Sequence, residues 1–130
     1  MKKILALLLC LLTSKVVASN QITIYYLTAN EYCPSVEMIE KETKNIIDSL
    51  YSKEKTDGII EEKTLNILLP ENKDFTSKWE IYTNGLIFLV TKDSQISKVD
   101  LNDFAFTNVP GNIPNFKEGL IKQINQILKK

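Results

Sequence analysis

The sequence predicts an α/β domain built on a four-stranded mixed sheet with helices on both faces. Three patterns predict it. The runs Ile22–Leu27 and Leu86–Val90 are apolar at nearly every position, as in strands covered on both sides. Between the first run and the next strand, apolar residues recur three and four apart, which marks an amphipathic helix. A strand, a long helix and a strand make a right-handed parallel crossover, whereas Leu86–Val90, a turn and Ile96–Leu101 make an antiparallel hairpin. Together these place the two apolar strands in the middle of the sheet.

The elements follow in order. Met1-Lys2-Lys3 is positive, Ile4–Leu12 is apolar but too short to span a bilayer, and Val16-Val17-Ala18 supplies compact residues at a cleavage position. Residues 1–18 are therefore expected to be a secretory signal peptide and residues 19–130 one domain. Leu9 precedes Cys10 where a lipoprotein signal wants a small residue, so simple export is expected. That means a periplasmic or secreted protein with no stable membrane insertion after cleavage.

Ile22–Leu27 is the first strand and Asn30–Tyr32 the turn after it. Pro34 suits the first helical position, where its missing N–H goes unused anyway. Val36, Ile39, Thr43, Ile46, Ile47, Leu50 and Tyr51 form the buried stripe of a helix of about five turns, and Asp57-Gly58 marks the exit. Thr64–Leu69 is expected as the second strand, with Leu65, Ile67 and Leu69 on one face and Pro70 ending it. The charges Glu61-Glu62-Lys63 are expected to be a solvated edge. Glu71–Tyr82 is expected as a shorter helix carrying Phe75 and Trp79 into the core.

Asn84-Gly85 signals a turn. Leu86–Val90 is the central strand, Lys92–Gln95 turns the chain, and Ile96–Leu101 is the antiparallel partner. Phe104 and Phe106 are expected to pin the next segment to the sheet. Asn112–Pro114 leads into a last helix with a stripe of Phe116, Leu120, Ile121, Ile124, Ile127 and Leu128.

Composition narrows the chemistry. The 130 residues hold 16 Lys and Arg together against 16 acids, with no His, and every one of the 16 cations is Lys. Loss of Lys2, Lys3 and Lys15 with the signal would leave 13 lysines against the 16 acids. Without Arg or a basic cluster, nucleic acid is not expected as a partner. Without His there is no triad and no imidazole base, and one thiol in the exported chain cannot build a cysteine zinc site. No metal or cofactor is expected. The distinctive nucleophile is Cys33, in Tyr32-Cys33-Pro34-Ser35-Val36, where a strand hands over to a helix N-terminus.

The element order, with a cysteine at that joint, resembles the thioredoxin fold. The Tyr25-Tyr26 strand, Cys33, Glu40-Lys41-Glu42-Thr43-Lys44 and Val99–Phe106 also resemble small thioredoxin-like proteins of the nitrophenyl compound nitroreductase subunit ArsF family. The likeness runs over most of the exported chain and implies a redox association more firmly than nitro-group chemistry. Three departures accompany it. Val36 stands where the family tends to have a second cysteine. Leu27 stands where thioredoxins keep a buried acid. Asn84-Gly85 falls where they keep a cis-proline.

A Cys-x-x-Cys pair attacks a disulfide with one thiolate and resolves the mixed disulfide with the other thiol. Val36 cannot resolve anything. Cys33 alone can still attack, favoured by the helix end and opposed by the charge of Glu31. Ser35 could donate a further hydrogen bond to the sulfur, and Tyr32 could shield it, offer a contact surface or be a simple surface tyrosine; the resemblance puts Asn84 on the same face, near the place of the cis-proline. The expectation is a single-thiol protein that forms mixed disulfides with protein or small-molecule thiols and disulfides, at most a monothiol oxidoreductase, with a redox protein as a further partner. The alternative is a non-catalytic binding or accessory module using the same face. Packing alone also accounts for a lone, partly buried cysteine.

Overall fold

A computed structural model describes residues 20–130; the signal peptide expected over residues 1–18 lies outside the described residues. The chain forms β1 (Gln21–Thr28), α1 (Pro34–Leu50), α2 (Ser52–Thr56), β2 (Ile60–Asn66), a 3-10 turn (Pro70–Asn72), α3 (Lys73–Lys78), β3 (Gly85–Lys92), β4 (Gln95–Asp100), α4 (Asn102–Asn108) and α5 (Ile113–Leu128). The sheet order is β2-β1-β3-β4. β1 runs parallel to β2 and antiparallel to β3, and β3 pairs antiparallel with β4. This is the expected mixed sheet, with the two apolar strands central.

The period of two along β1 and β3 divides their side chains between two cores. Ile22, Ile24, Tyr26, Leu86, Phe88 and Val90 face α1 and α5. Tyr25, Leu27, Ile87 and Leu89 face the other way, toward Phe75, Trp79 and Ile81. Helices thus cover both faces, and the continuous apolar runs are explained by burial on each side.

Several boundaries differ from expectation for physical reasons. β2 spans Ile60–Asn66 rather than Thr64–Leu69. Its charged start is tolerated because β2 is an edge strand and Glu62 is paired from both sides, by Tyr26 and by Lys55. The chain leaves the sheet at Asn66, whose side-chain oxygen accepts the Leu68 N–H at 2.9 Å in an Asx turn, and Leu68 and Leu69 end up exposed. Leu65 and Ile67 do reach the second core.

The helix expected over Glu71–Tyr82 is shorter, because Glu80 takes a left-handed conformation with φ 52°. Lys98 of β4 donates to the Trp79 carbonyl at 2.7 Å and so closes that helix end. Leu50 is exposed, and Tyr51 takes the buried place instead, its hydroxyl 2.7 Å from Asn125 Oδ1. The segment 102–108 is a helix the sequence did not announce. Within it Phe104 stacks on Phe116 with ring centroids 5.6 Å apart, while Phe106 stays more than a third exposed and sets its ring edge beside Gly85 at the start of β3.

Candidate functional site

Cys33 is the residue that opens α1. Its backbone is extended (φ −131°, ψ 109°), and its carbonyl accepts the Glu37 N–H at 3.1 Å. Pro34 takes the first helical position, as its fixed φ and absent N–H favour. The Cys33 side chain makes no capping hydrogen bond, is free of any disulfide and is partly exposed. The fold thus carries the thiol out of a buried strand and leaves it at the end of a 17-residue helix.

Cys33 borders a groove of about 400 Å³ whose lining also includes Tyr32, Val36 and Asn84. Four of the six residues singled out in the sequence therefore meet in one concavity. Asn84 joins the lining from the segment just before β3. Val36 is buried at the edge of the groove, one helical turn from Cys33, so the position a second thiol would need is filled by a methyl-bearing side chain. Leu27, standing where an acid would be expected, is fully buried in the second core.

The other two residues are placed differently. Pro34 lines a neighbouring hollow of about 450 Å³ with Met38, Pro110 and Ile113. Ser35 makes no side-chain hydrogen bond among the described residues, so the expected donation to the sulfur is not formed.

The electrostatics of the groove are acidic. Glu31, Glu37 and Glu40 line it, and no lysine does. Glu40 is paired with Lys44 at 2.6 Å, just outside. Tyr32 is 79% exposed, and Glu37, as hydrogen-bond acceptor first and as a charge second, pushes the phenol's titration up. Among the described residues no group of three or more Cys, Asp or Glu side chains could hold a metal ion, and no helix is long and apolar enough to cross a membrane.

One contributor was invisible in the sequence. Asn102, at the start of α4, accepts the Leu86 N–H at 2.7 Å and donates to Thr83 Oγ1 at 3.2 Å. Those two partners flank the Asn84-Gly85 turn. The only sequence cue was Asp100-Leu101-Asn102 at a strand end, a pattern common to many turns.

The parallel crossover, the hairpin and the thiol at the tip of a central strand define an α/β protein of thioredoxin-like architecture. No family model matches the chain, and no curated protein does. Among solved structures, one described as that of a malarial protein is similar with a TM-score of 0.42 and 14% identity, over 68% of this chain and 94% of that one. A thioredoxin from Thermus thermophilus is similar with a TM-score of 0.39 and 14% identity, over 71% of this chain and 77% of that one.

Proposed function

We propose that this is an exported single-cysteine protein of thiol–disulfide exchange. The Cys33 thiolate attacks one sulfur of a disulfide. A new S–S bond forms to Cys33, the old one breaks, and the other half leaves as a thiolate. No second thiol stands in the chain's groove to reverse the step, so release requires an external thiol. The substrates are protein or small-molecule disulfides, and the natural partner is a redox protein. Membership of the ArsF family, with a role as accessory subunit of a nitro-group reductase, is the finer form of this proposal.

The observation that carries it is a partly exposed, disulfide-free Cys33 at a helix N-terminus, among the residues that line a groove of about 400 Å³. The test is incubation with an oxidised low-molecular-weight disulfide across a pH series, followed by mass analysis. A stable adduct on Cys33, formed faster as pH rises through the neutral range, is expected. An unmodified Cys33 in folded protein overturns the proposal. The Val36→Cys variant asks whether only the resolving thiol is missing: gain of disulfide reductase turnover is the expected result.

A second reading is a binding module without redox chemistry. It is favoured by Tyr32, which presents an exposed ring beside the groove, and by the packed Val36. Adduct formation on Cys33 decides against it.

A further inference from the structure

Thr83 and Asn84 lead into β3, and Asn84 lines the same groove as Cys33. Asn102 holds this segment by two hydrogen bonds and one close approach. Its Nδ2 donates to Thr83 Oγ1 at 3.2 Å. Its Oδ1 accepts the Leu86 N–H at 2.7 Å. Between them Gly85, with φ +144°, lies so close that a Cβ there would stand 2.0 Å from Asn102 Oδ1. Only glycine permits both that backbone and that approach.

Asn102 is itself held. Asp100 Oδ1 accepts its backbone N–H at 2.9 Å, and the neighbouring Leu101 N–H donates to the Leu86 carbonyl at 3.1 Å. The side chain therefore takes the next ladder place after β4 ends, where a backbone carbonyl would otherwise sit. The amide is the one uncharged side chain of this size that both accepts from Leu86 and donates to Thr83.

We infer that Asn102 is a positioning residue for the Cys33 groove, fixing through Thr83, Gly85 and Leu86 where the Asn84 wall stands. The inference rests on the proposed thiol exchange for its functional consequence, though not for its structural one. A reagent too small to reach Asn84 reacts with Cys33 regardless of Asn102. A disulfide large enough to span the groove does not.

The experiment compares Asn102→Ala, Asn102→Asp and Thr83→Val with the unaltered protein, using iodoacetamide as the small probe and a cystine-containing hexapeptide dimer as the large one. Loss of both side-chain bonds in Asn102→Ala is expected to slow the peptide reaction on the order of tenfold, about two ordinary hydrogen bonds' worth of ordering shared between bound and free states. Alkylation by iodoacetamide stays within twofold. Asn102→Asp, which keeps the acceptor for Leu86, recovers part of the peptide rate, and Thr83→Val falls between. Equal changes in both probes, or none in either, overturn the inference.

Backbone amide exchange provides the arm that does not need a reactive thiol, and Thr83→Val keeps it readable if Asn102→Ala is poorly folded. The Leu86 N–H is expected to exchange at least about tenfold faster in Asn102→Ala while the Phe88 N–H is unchanged, and the Asn84 resonance is expected to shift in all three variants. If Cys33 is inert to every reagent but these amide changes appear, the thiol proposal fails and the positioning role stands. If Leu86 and Asn84 are unaffected, the positioning role fails whatever the thiol does.

Discussion

The Tyr26 hydroxyl donates to Glu62 Oε1 at 2.6 Å, tying the central strand β1 to the charged edge strand β2 inside the larger core. The other Glu62 oxygen lies 2.8 Å from Lys55, and Lys44 stands 5.3 Å from the centre of the Tyr26 ring. A carboxylate on a buried-facing edge position is costly unless it is paired and hydrogen-bonded. Here β1 and α2 supply the compensation, through Tyr26 and Lys55, which is why β2 can begin with Ile60-Glu61-Glu62-Lys63 and still be a strand.

Burial first, and then Glu62 as hydrogen-bond partner and charge, holds the Tyr26 phenol well above its ordinary range. In the unfolded chain it ionises near pH 10. Above that pH the unfolded state has lost a proton the folded state keeps, so stability falls as pH rises, by about 1.4 kcal/mol per pH unit for this group. Tyr26→Phe is expected to cost about 1.5 kcal/mol at pH 7, the low end for a bond to a charged acceptor because Lys55 still pairs Glu62. The variant should also lack this component of alkaline destabilisation. Urea melts of both proteins at pH 7, 9.5 and 10.5 check both statements; parallel pH profiles would refute the second.

How much was legible follows from where burial leaves a pattern in the sequence. β1 and β3 are buried on both faces, so Ile22–Leu27 and Leu86–Val90 read as strands without further context. α1 and α5 each bury one stripe, and their three-and-four spacing was sufficient. β2 was displaced because its polar half is stabilised by Tyr26, 36 residues earlier in sequence, and by Lys55 across a turn, contacts that no alternation of apolar residues reveals. α4 escaped notice because it is two turns long and its apolar residues, Phe104, Ala105 and Phe106, adjoin rather than alternate. At the site, Cys33, Pro34 and Val36 could be placed because a helix start has a strong local signature. Asn84 followed from topology. Asn102 did not, since its role depends on tertiary contact with a turn 16 residues earlier in sequence.

Gly119 lies in α5 where a Cβ would come within 2.5 Å of Phe104 Cζ. Alanine would ordinarily stabilise a helix interior by about 1 kcal/mol over glycine. Here the ring it would displace is stacked on Phe116, and overpacking of that kind costs about 1–3 kcal/mol. Gly119→Ala is expected to destabilise the protein by about 1 kcal/mol, the difference of those effects. In a Phe104→Leu background the same change should become stabilising. A double-mutant cycle by chemical denaturation reads this sign reversal directly.

Lys130 closes the far end of α5 against α2. Lys130 donates to Glu54 Oε1, and its own N–H bonds the Asn125 carbonyl at 2.9 Å. The hydrogen bond from Lys130 is the main cause holding the Glu54 carboxyl below its ordinary range. A depressed carboxyl stabilises the fold above its unfolded titration, near pH 4.3, and that contribution is lost as pH falls through the lower folded value. Lys130→Gln is therefore expected to lower stability at pH 7 and to flatten its decline below about pH 4.5. Thermal melts at pH 7, 5, 4 and 3 measure both effects; an unchanged acid slope would count against the pair.

The acidic rim of the groove makes a prediction about which disulfides react. Glu31, Glu37 and Glu40 line it, and Lys44 pairs with Glu40. Glu31 and Glu37 are exposed, so their field acts mainly on the local concentration of a charged reagent and is screened by salt. A dicationic disulfide such as cystamine is expected to modify Cys33 on the order of tenfold faster than a neutral hydroxyethyl disulfide at low ionic strength, and a dianionic dithiodiglycolate slower still. Raising the salt to about 0.5 M should compress the three rates toward one another, because the screening length then falls well below about 8 Å. Glu37→Gln, which removes the carboxylate beside Tyr32, should narrow the gap at low salt and leave the neutral reagent's rate little changed. Rates ordered by reagent size instead of by charge would mean that the groove selects on shape, and that its three carboxylates serve only to keep the surface wet.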